Sequence, residues 1–215
     1  MTKKTGDYIY IWVISKPGKM GKAERTKQMI IEKASIILNK KGVEGTTVDS
    51  VLEASQVARG CLYNYFDNKD ALCYEAVDYL LKKNDDQVIS VVSREQTAKS
   101  KIYAYLKFNK DPLDTFIEGG CPILNLAAEA DDNNPVIKEK LKANMLAAQK
   151  YFTVILKEGI RSGEFSKRLQ ADEFAYKMFA SIQGGILISR VIGNVQPMQA
   201  IIKSIKAELK TFETE

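Results

Sequence analysis

One stretch, Thr46 to Phe66 (TTVDSVLEASQVARGCLYNYF), constrains the fold of this chain more than any other. Thr47 suits an N-cap, and Val48, Val51 and Leu52 follow on one face at i, i+3, i+4 spacing, which predicts a helix of about two turns. A tight connection through Ser55 and Gln56 leads to Val57. A second helix is expected from Ala58, with Ala58, Leu62, Tyr65 and Phe66 on its inner side. Its outer side carries Gly60 and Asn64, flanked by Cys61 and Tyr63, with Arg59 at its N-terminus. Two short helices joined by a tight turn, the second with a small, hydrogen-bonding outer face, have the form of a helix-turn-helix whose second helix enters a major groove. The pattern alone equally suits a plain helical hairpin in an all-α protein.

The string VARGCLYNYFDNKDAL resembles the signature of the TetR family of bacterial transcriptional regulators, in which a Tyr-x-x-Phe block is followed by a Lys and an apolar residue. Here those positions are Tyr63, Phe66, Lys69 and Leu72. The resemblance covers residues 24 to 75 and extends beyond them as a layout of helices. Gln56 stands where the family commonly has a turn Gly, Ala58 where a Ser caps the recognition helix, and Cys61 where Ser or Thr is frequent. The resemblance implies an all-α fold: a three-helix head with a helix-turn-helix, then a helical-bundle regulatory and dimerisation domain. It also puts Lys69 on a DNA phosphate.

Charge is uneven along the chain. The formal net charge of the 215 residues is +5, and residues 1 to 72 hold 12 Lys/Arg against 8 Asp/Glu, so most of the excess lies in the N-terminal third of the chain, with the sign that phosphate binding needs. An apolar fraction of 45% supports a packed core. No apolar run approaches the ~20 residues of a membrane span. The three cysteines, Cys61, Cys73 and Cys121, lack metal-ligand spacing, and an odd number argues against a disulfide framework. A reducing cytoplasm fits.

Residues 1 to 21 are expected to be an N-terminal extension, residues 22 to 68 the DNA-binding domain and residues 69 to 215 the ligand-binding and dimerisation domain. The run YIYIWVI (Tyr8 to Ile14) is too short for a span, and Met20 opens a segment like the natural start of many relatives; the alternative is an arm that packs on the body. Ile30, Ala34, Ile37 and Leu38 predict a first helix ending at Gly42. Lys69 starts a long helix with Leu72, Ala76, Tyr79 and Leu80 inward. Ile102, Tyr103 and Leu106 mark a short helix ended by Asp111-Pro112. The Gly-Cys-Pro opening at Gly120 and its Leu-Ala-Ala-Glu helix resemble one branch of the family's C-terminal domains. Asn134-Pro135 starts a long amphipathic helix that stops near Gly163, and two more helices follow over about 171–192 and 197–212.

The chemistry points to binding rather than catalysis. The chain has no histidine, which removes the commonest general base and a leading zinc ligand. Asp85/Asp86 and Asp131/Asp132 lie in polar runs, and Lys40-Lys41-Gly42 lacks a phosphate-binding Gly-rich loop. No catalytic residue, metal site or cofactor is expected. The partners expected are double-stranded DNA, a small-molecule effector and a second copy of the chain, with no membrane. On DNA, Thr47, Tyr63 and Lys69 are expected to hold phosphates, Asn64 to pair with adenine, Gly60 to allow close approach and Cys61 to meet a thymine methyl, with Arg59 beside them. For an effector pocket the candidates are Tyr103, Phe116, Phe152, Met178 and Phe179, and with no clustered charge evident there a largely apolar, neutral ligand is expected. Phe174, Ile182, Ile186, Ile201, Ile205 and Leu209 are the candidates for a dimer interface, which the resemblance makes a four-helix arrangement across a two-fold axis. The function expected is a ligand-responsive regulator, a repressor that binds a palindromic operator as a homodimer. The competing reading is a non-DNA helical adaptor or apolar-ligand carrier.

Overall fold

The computed structural model describes residues 21–214, so the expected N-terminal extension, apart from Gly21, lies outside the described residues. Nine helices are formed among them: α1 (Lys22–Lys41), α2 (Val48–Ser55), α3 (Arg59–Tyr63), α4 (Lys69–Val92), α5 (Ala98–Phe108), α6 (Pro122–Asn133), α7 (Pro135–Ser162), α8 (Ala171–Ile192) and α9 (Gln196–Lys210). Beyond helices there is one isolated antiparallel bridge, Phe165 to Glu213, so the fold is all-α over the described residues.

Helix ends are fixed by local chemistry. Thr47 Oγ1 accepts from Ser50 N at 3.1 Å, Asn68 Oδ1 from Ala71 N at 2.8 Å, and Asn134 Oδ1 from Ile137 N at 3.0 Å, each satisfying a donor that the first turn of a helix leaves open. Pro135 at the first position of α7 loses nothing by lacking an N–H there. At the other end of α7, Gly163 takes φ 83°, a left-handed conformation that favours glycine.

Two apolar clusters form the interior. In the first, Ile30, Ala34 and Leu38 of α1 meet Val51, Leu62 and Phe66 of the helix-turn-helix and Leu72, Ala76 and Leu80 of α4. This cluster continues into Ile123, Leu126 and Ala130 of α6 and Ile137 and Leu141 of α7, so the head and the body share packed surface. The second cluster joins Ile102, Tyr105 and Leu106 of α5 to Phe152, Ile155 and Leu156 of α7, Phe174, Met178 and Ile182 of α8, and Met198, Ile205 and Leu209 of α9. Burial of this extent is the main favourable contribution to the fold, at about 25 cal/mol per Å² of apolar surface removed from water. α4 and α7 run through both clusters and act as the struts of the molecule.

Candidate nucleic-acid interface and internal cavity

The helix-turn-helix is built from its buried side outward. Val51, Leu62 and Phe66 are sealed into the core, so α2 and α3 cannot roll. α3 has five residues and stops at Tyr63, earlier than the run to Phe66 suggests, because the chain tightens into turns closed by Tyr65 N and Phe66 N donating to Leu62 O. Ala58, expected on the inner side, is exposed as the N-cap and makes no side-chain cap. Gln56 closes α2 with φ 57°, the one non-glycine residue at positive φ among those described, and its amide donates to Glu53 O at 2.5 Å. A left-handed residue with a Cβ is strained by roughly 1 kcal/mol relative to Gly, so the turn keeps its geometry at a cost.

The outward side matches the residues singled out in the sequence. Thr47, Arg59, Gly60, Tyr63 and Asn64 are exposed, and Cys61 is half-buried. A Cβ added to Gly60 would meet nothing within 4 Å, so the middle of α3 presents bare backbone to whatever docks there. Arg59 is paired with Asp49 of α2, an exposed ion pair of the kind that adds little stability. Lys69, half-buried, donates to Val43 O at 3.2 Å and so sits against the loop before α2.

That loop is held from the body by residues the sequence reading did not single out. Glu129 of α6 accepts from Val43 N and Glu44 N, both at 2.8 Å. Buried Asn39 of α1 donates to Glu118 O at 2.8 Å and Gly120 O at 2.9 Å, while Asn125 of α6 donates to Asn39 O at 2.9 Å and Gly119 O at 3.0 Å. Arg190 of α8 donates to Gly119 O at 3.0 Å from the other side. The signal for Asn39 was present in the sequence: it lies four residues after Ser35 and one after Leu38, on the core face of α1, where a polar side chain needs a partner.

The segment between α5 and α6 that Asn39 and Arg190 clamp also walls a partly open cavity of about 350 Å³, together with α4, α5, α7 and α8. Phe116, Phe152 and Phe179 line it, as expected. Tyr103 and Met178 do not. The buried face of α5 is Ile102, Tyr105 and Leu106, at i, i+3, i+4, which turns Tyr103 out toward Lys99 and Lys206, whose ammonium groups stand over its ring. Met178 is fully buried in the second cluster, one residue from Phe179 and therefore about 100° around α8 from it. Tyr105, Tyr151 and Phe108 line the cavity in their place.

The expectation of a largely apolar, neutral ligand meets a wall that is apolar only in part. Asn84, Asp85, Asp111, Asp114 and Gln183 contribute to it. The polar run around Asp85 is one face of α4, and its helical phase carries Asp85 inward while Asp86 remains outside on Lys82. Burial pushes the Asp85 carboxyl up to about 7, against the pull of hydrogen bonds from Asn144 and Asn84. Burial also raises the Cys121 thiol at the cavity wall, which keeps it protonated.

The candidate interface residues divide. Phe174, Ile182, Ile186, Ile205 and Leu209 are buried within the single chain, and Ile201 is half-buried, since α9 packs back on α8 through Met198 and Ile201 at Gly185. Within the single chain the five buried residues are core, and Ile201 keeps part of its surface open. The apolar face left open is another stripe of α8: Tyr176, Leu187, Ile188 and Val191, with Gly184 meeting nothing within 4 Å and Ile192 at the end. Val191 is 78% exposed.

Comparison with known proteins follows this division of the chain. The family described as "Bacterial regulatory proteins, tetR family" matches residues 30–76, and "Tetracyclin repressor-like, C-terminal domain" matches residues 99–205. The chain is 28% identical over 166 residues to the HTH-type transcriptional regulator TtgR of Pseudomonas putida, covering 75% of this chain and 79% of TtgR. The crystal structure of a TetR-family transcriptional regulator from Cytophaga hutchinsonii aligns with a TM-score of 0.86 at 29% identity, over 92% of this chain and 100% of that one. A TetR transcriptional regulator from Chloroflexus aurantiacus gives a TM-score of 0.85 at 25% identity, over 90% and 98% of the two chains. With a helix-turn-helix whose outer face is open, a helical body behind it and matches across both, this protein belongs to the TetR family of DNA-binding bacterial transcriptional regulators.

Proposed function

We propose that the protein is a repressor that binds a palindromic operator as a homodimer and is released by a small molecule bound in the body. Residues 22–68 act as the reading head and residues 69–215 as the regulatory body, in the cytoplasm where the operator is. Asn64 reads a base edge, with Gly60 allowing the backbone of α3 to approach and Cys61 close enough for an apolar contact with a thymine methyl. Thr47, Tyr63 and Lys69 hold phosphates. Arg59 joins them by exchanging Asp49 for a phosphate. Repression follows from occupying the promoter.

The dimer forms over the exposed stripe of α8, where Tyr176, Leu187, Ile188 and Val191 would otherwise keep a continuous apolar face in water. Two heads held by one such interface address two half-sites about 34–36 Å apart on the duplex.

The observation that carries the regulatory part is that one segment serves two sites. Residues 109–121 include cavity wall at Phe116, Ile117 and Gly120, and Glu118 and Gly120 of the same segment accept the amide of Asn39 in the head. An effector that prefers a different arrangement of this segment moves α1 and lowers DNA affinity by the difference in its own affinity for the two arrangements. The test is fluorescence anisotropy with promoter DNA from the gene's own neighbourhood. Sub-micromolar, salt-sensitive binding by a dimer supports the reading; binding no tighter than to random DNA sinks it.

A further inference from the structure

The cavity has an electrostatic character that the repressor reading leaves open. Its aromatic walls include Tyr105 against Phe152, with ring centroids 4.3 Å apart, and Phe116 at the surface. Among the described residues no Lys or Arg side chain lines it, while Asp85 does. Asp85 accepts from Asn144 Nδ2 at 2.5 Å. The nearby Lys82 is engaged by Asp86 at 2.8 Å. Lys83 stands over the Phe116 ring, 5.5 Å from its centroid, without joining the wall. On the residue bonded to Asp85, Asn144 Oδ1 is buried and has no hydrogen-bond partner, although Asn144 is not itself part of the cavity wall. Asp111 and Asp114 add negative charge to the same wall, although Asp111 Oδ1 also accepts from Leu113 N and Asp114 N. Carboxylates and aromatic faces in a wall without a cation are a poor setting for a neutral hydrocarbon or an anion. They suit a positive charge that carries N–H donors.

We propose that the cavity takes an organic ammonium or amidinium cation with an aromatic or aliphatic body, its charge held by Asp85 and its body stacked among Tyr105, Phe116, Phe152 and Phe179. This rests on the reading of the cavity as the effector site. Burial without a full counter-charge explains why the Asp85 carboxyl is pushed up to about 7, and a bound cation would favour its ionised form. The groups around it are Asn84, Lys82 and Asp86 on α4, Asn144 on α7, Tyr105 on α5, Asp111 and Asp114 between α5 and α6, Cys121 at the start of α6 and, beyond the wall, Arg190 of α8, which donates to Pro112 O. Burial raises Tyr105 and Cys121, so both stay neutral around pH 7 and Asp85 is the group that titrates there. Cation binding therefore releases a proton and strengthens as pH rises from 6 to 8.

Three probes of one body separate the alternatives: 2-(1-naphthyl)ethylammonium, 2-(1-naphthyl)ethanol and 3-(1-naphthyl)propanoate, titrated by calorimetry against the full chain. The ammonium should bind about tenfold or more tighter than the alcohol, the gain expected of a charge-assisted hydrogen bond, and the carboxylate should bind weakest. Asp85→Asn should bring the ammonium down to the alcohol and abolish proton release, leaving alcohol binding in place. If the alcohol or the carboxylate binds as tightly as the ammonium to the unaltered protein, or if none of the three binds, the cation assignment is overturned whatever the variant does. The same probes added to the operator complex keep the two ideas apart. Ammonium that binds in the predicted order yet leaves DNA affinity unchanged upholds the cation site and refutes the effector role.

Discussion

The reading head and the C-terminal helix pair contrast in which side of a helix carries function. In the head, Leu62 and Phe66 are buried while Gly60, Tyr63 and Asn64 face water, so the side open to a partner is whatever the apolar stripe leaves over. In α8 nearly every side is apolar, and two apolar stripes differ in burial: Phe174, Met178 and Ile182 form the chain's own core, while Leu187, Ile188 and Val191 are left exposed. Where polarity marks the surface, function can be read from pattern. Where both the core and a binding surface are apolar, only the packed structure separates them.

The largest effect that sharpens this contrast comes from one pair of substitutions. Ile205→Asp buries an unpaired charge in the core and should unfold the chain or cost at least ~4 kcal/mol, at the severe end for single changes. Val191→Asp should leave the helical circular dichroism intact and shift sedimentation from dimer to monomer. If Ile205→Asp yields a folded monomer, or Val191→Asp a stable dimer, the division of the two stripes is wrong.

The next effect concerns Asp85. In the fold its carboxyl keeps the proton up to about pH 7, whereas in the unfolded chain it loses it near pH ~3.9. Between those values the folded state binds the extra proton, so stability falls as pH rises through that window and stays reduced above it. Asp85→Asn should therefore raise the melting temperature at pH 8, by the equivalent of a few kcal/mol, with a gap to the parent protein that narrows toward pH 5. A gap independent of pH would show that Asp85 titrates normally.

On the head the expected effects are smaller and differ in kind. Asn64→Ala should weaken operator binding by about 1–3 kcal/mol per half-site and relax preference at one base pair. Lys69→Ala should weaken all sequences alike and flatten the salt dependence by roughly one ion per half-site. Because Lys69 also holds Val43 O, that variant should lose about 1 kcal/mol of stability as well, visible in urea unfolding. Equal losses on operator and random DNA for Asn64→Ala would move Asn64 from base to backbone.

The smallest change tests the turn. Gln56→Gly relieves the left-handed strain and should stabilise the protein by about 0.5–1 kcal/mol without changing DNA specificity. A loss of stability would mean that the Gln56 contact to Glu53 O outweighs the strain.

Periodicity, caps and the block from Tyr63 to Leu72 determined the all-α order, the ends of α1, α2 and α7 and the outer face of α3, because each depends on residues within a turn or two of one another. Thr47, Asn68 and Asn134 cap the helices they stand before, and Gly42 and Gly163 end theirs. The tertiary structure alone decided which of Tyr103 and Tyr105 borders the cavity, that Asp85 turns inward, that Glu129 grips the head, and that Asn39 of the head meets the backbone of Glu118 and Gly120. Those contacts join residues as far as 86 positions apart, as Glu129 and Val43 are. Local spacing fixes which face of a helix is apolar, but what that face meets is set by how long helices cross, and a polar residue becomes a partner only where the crossing brings it one.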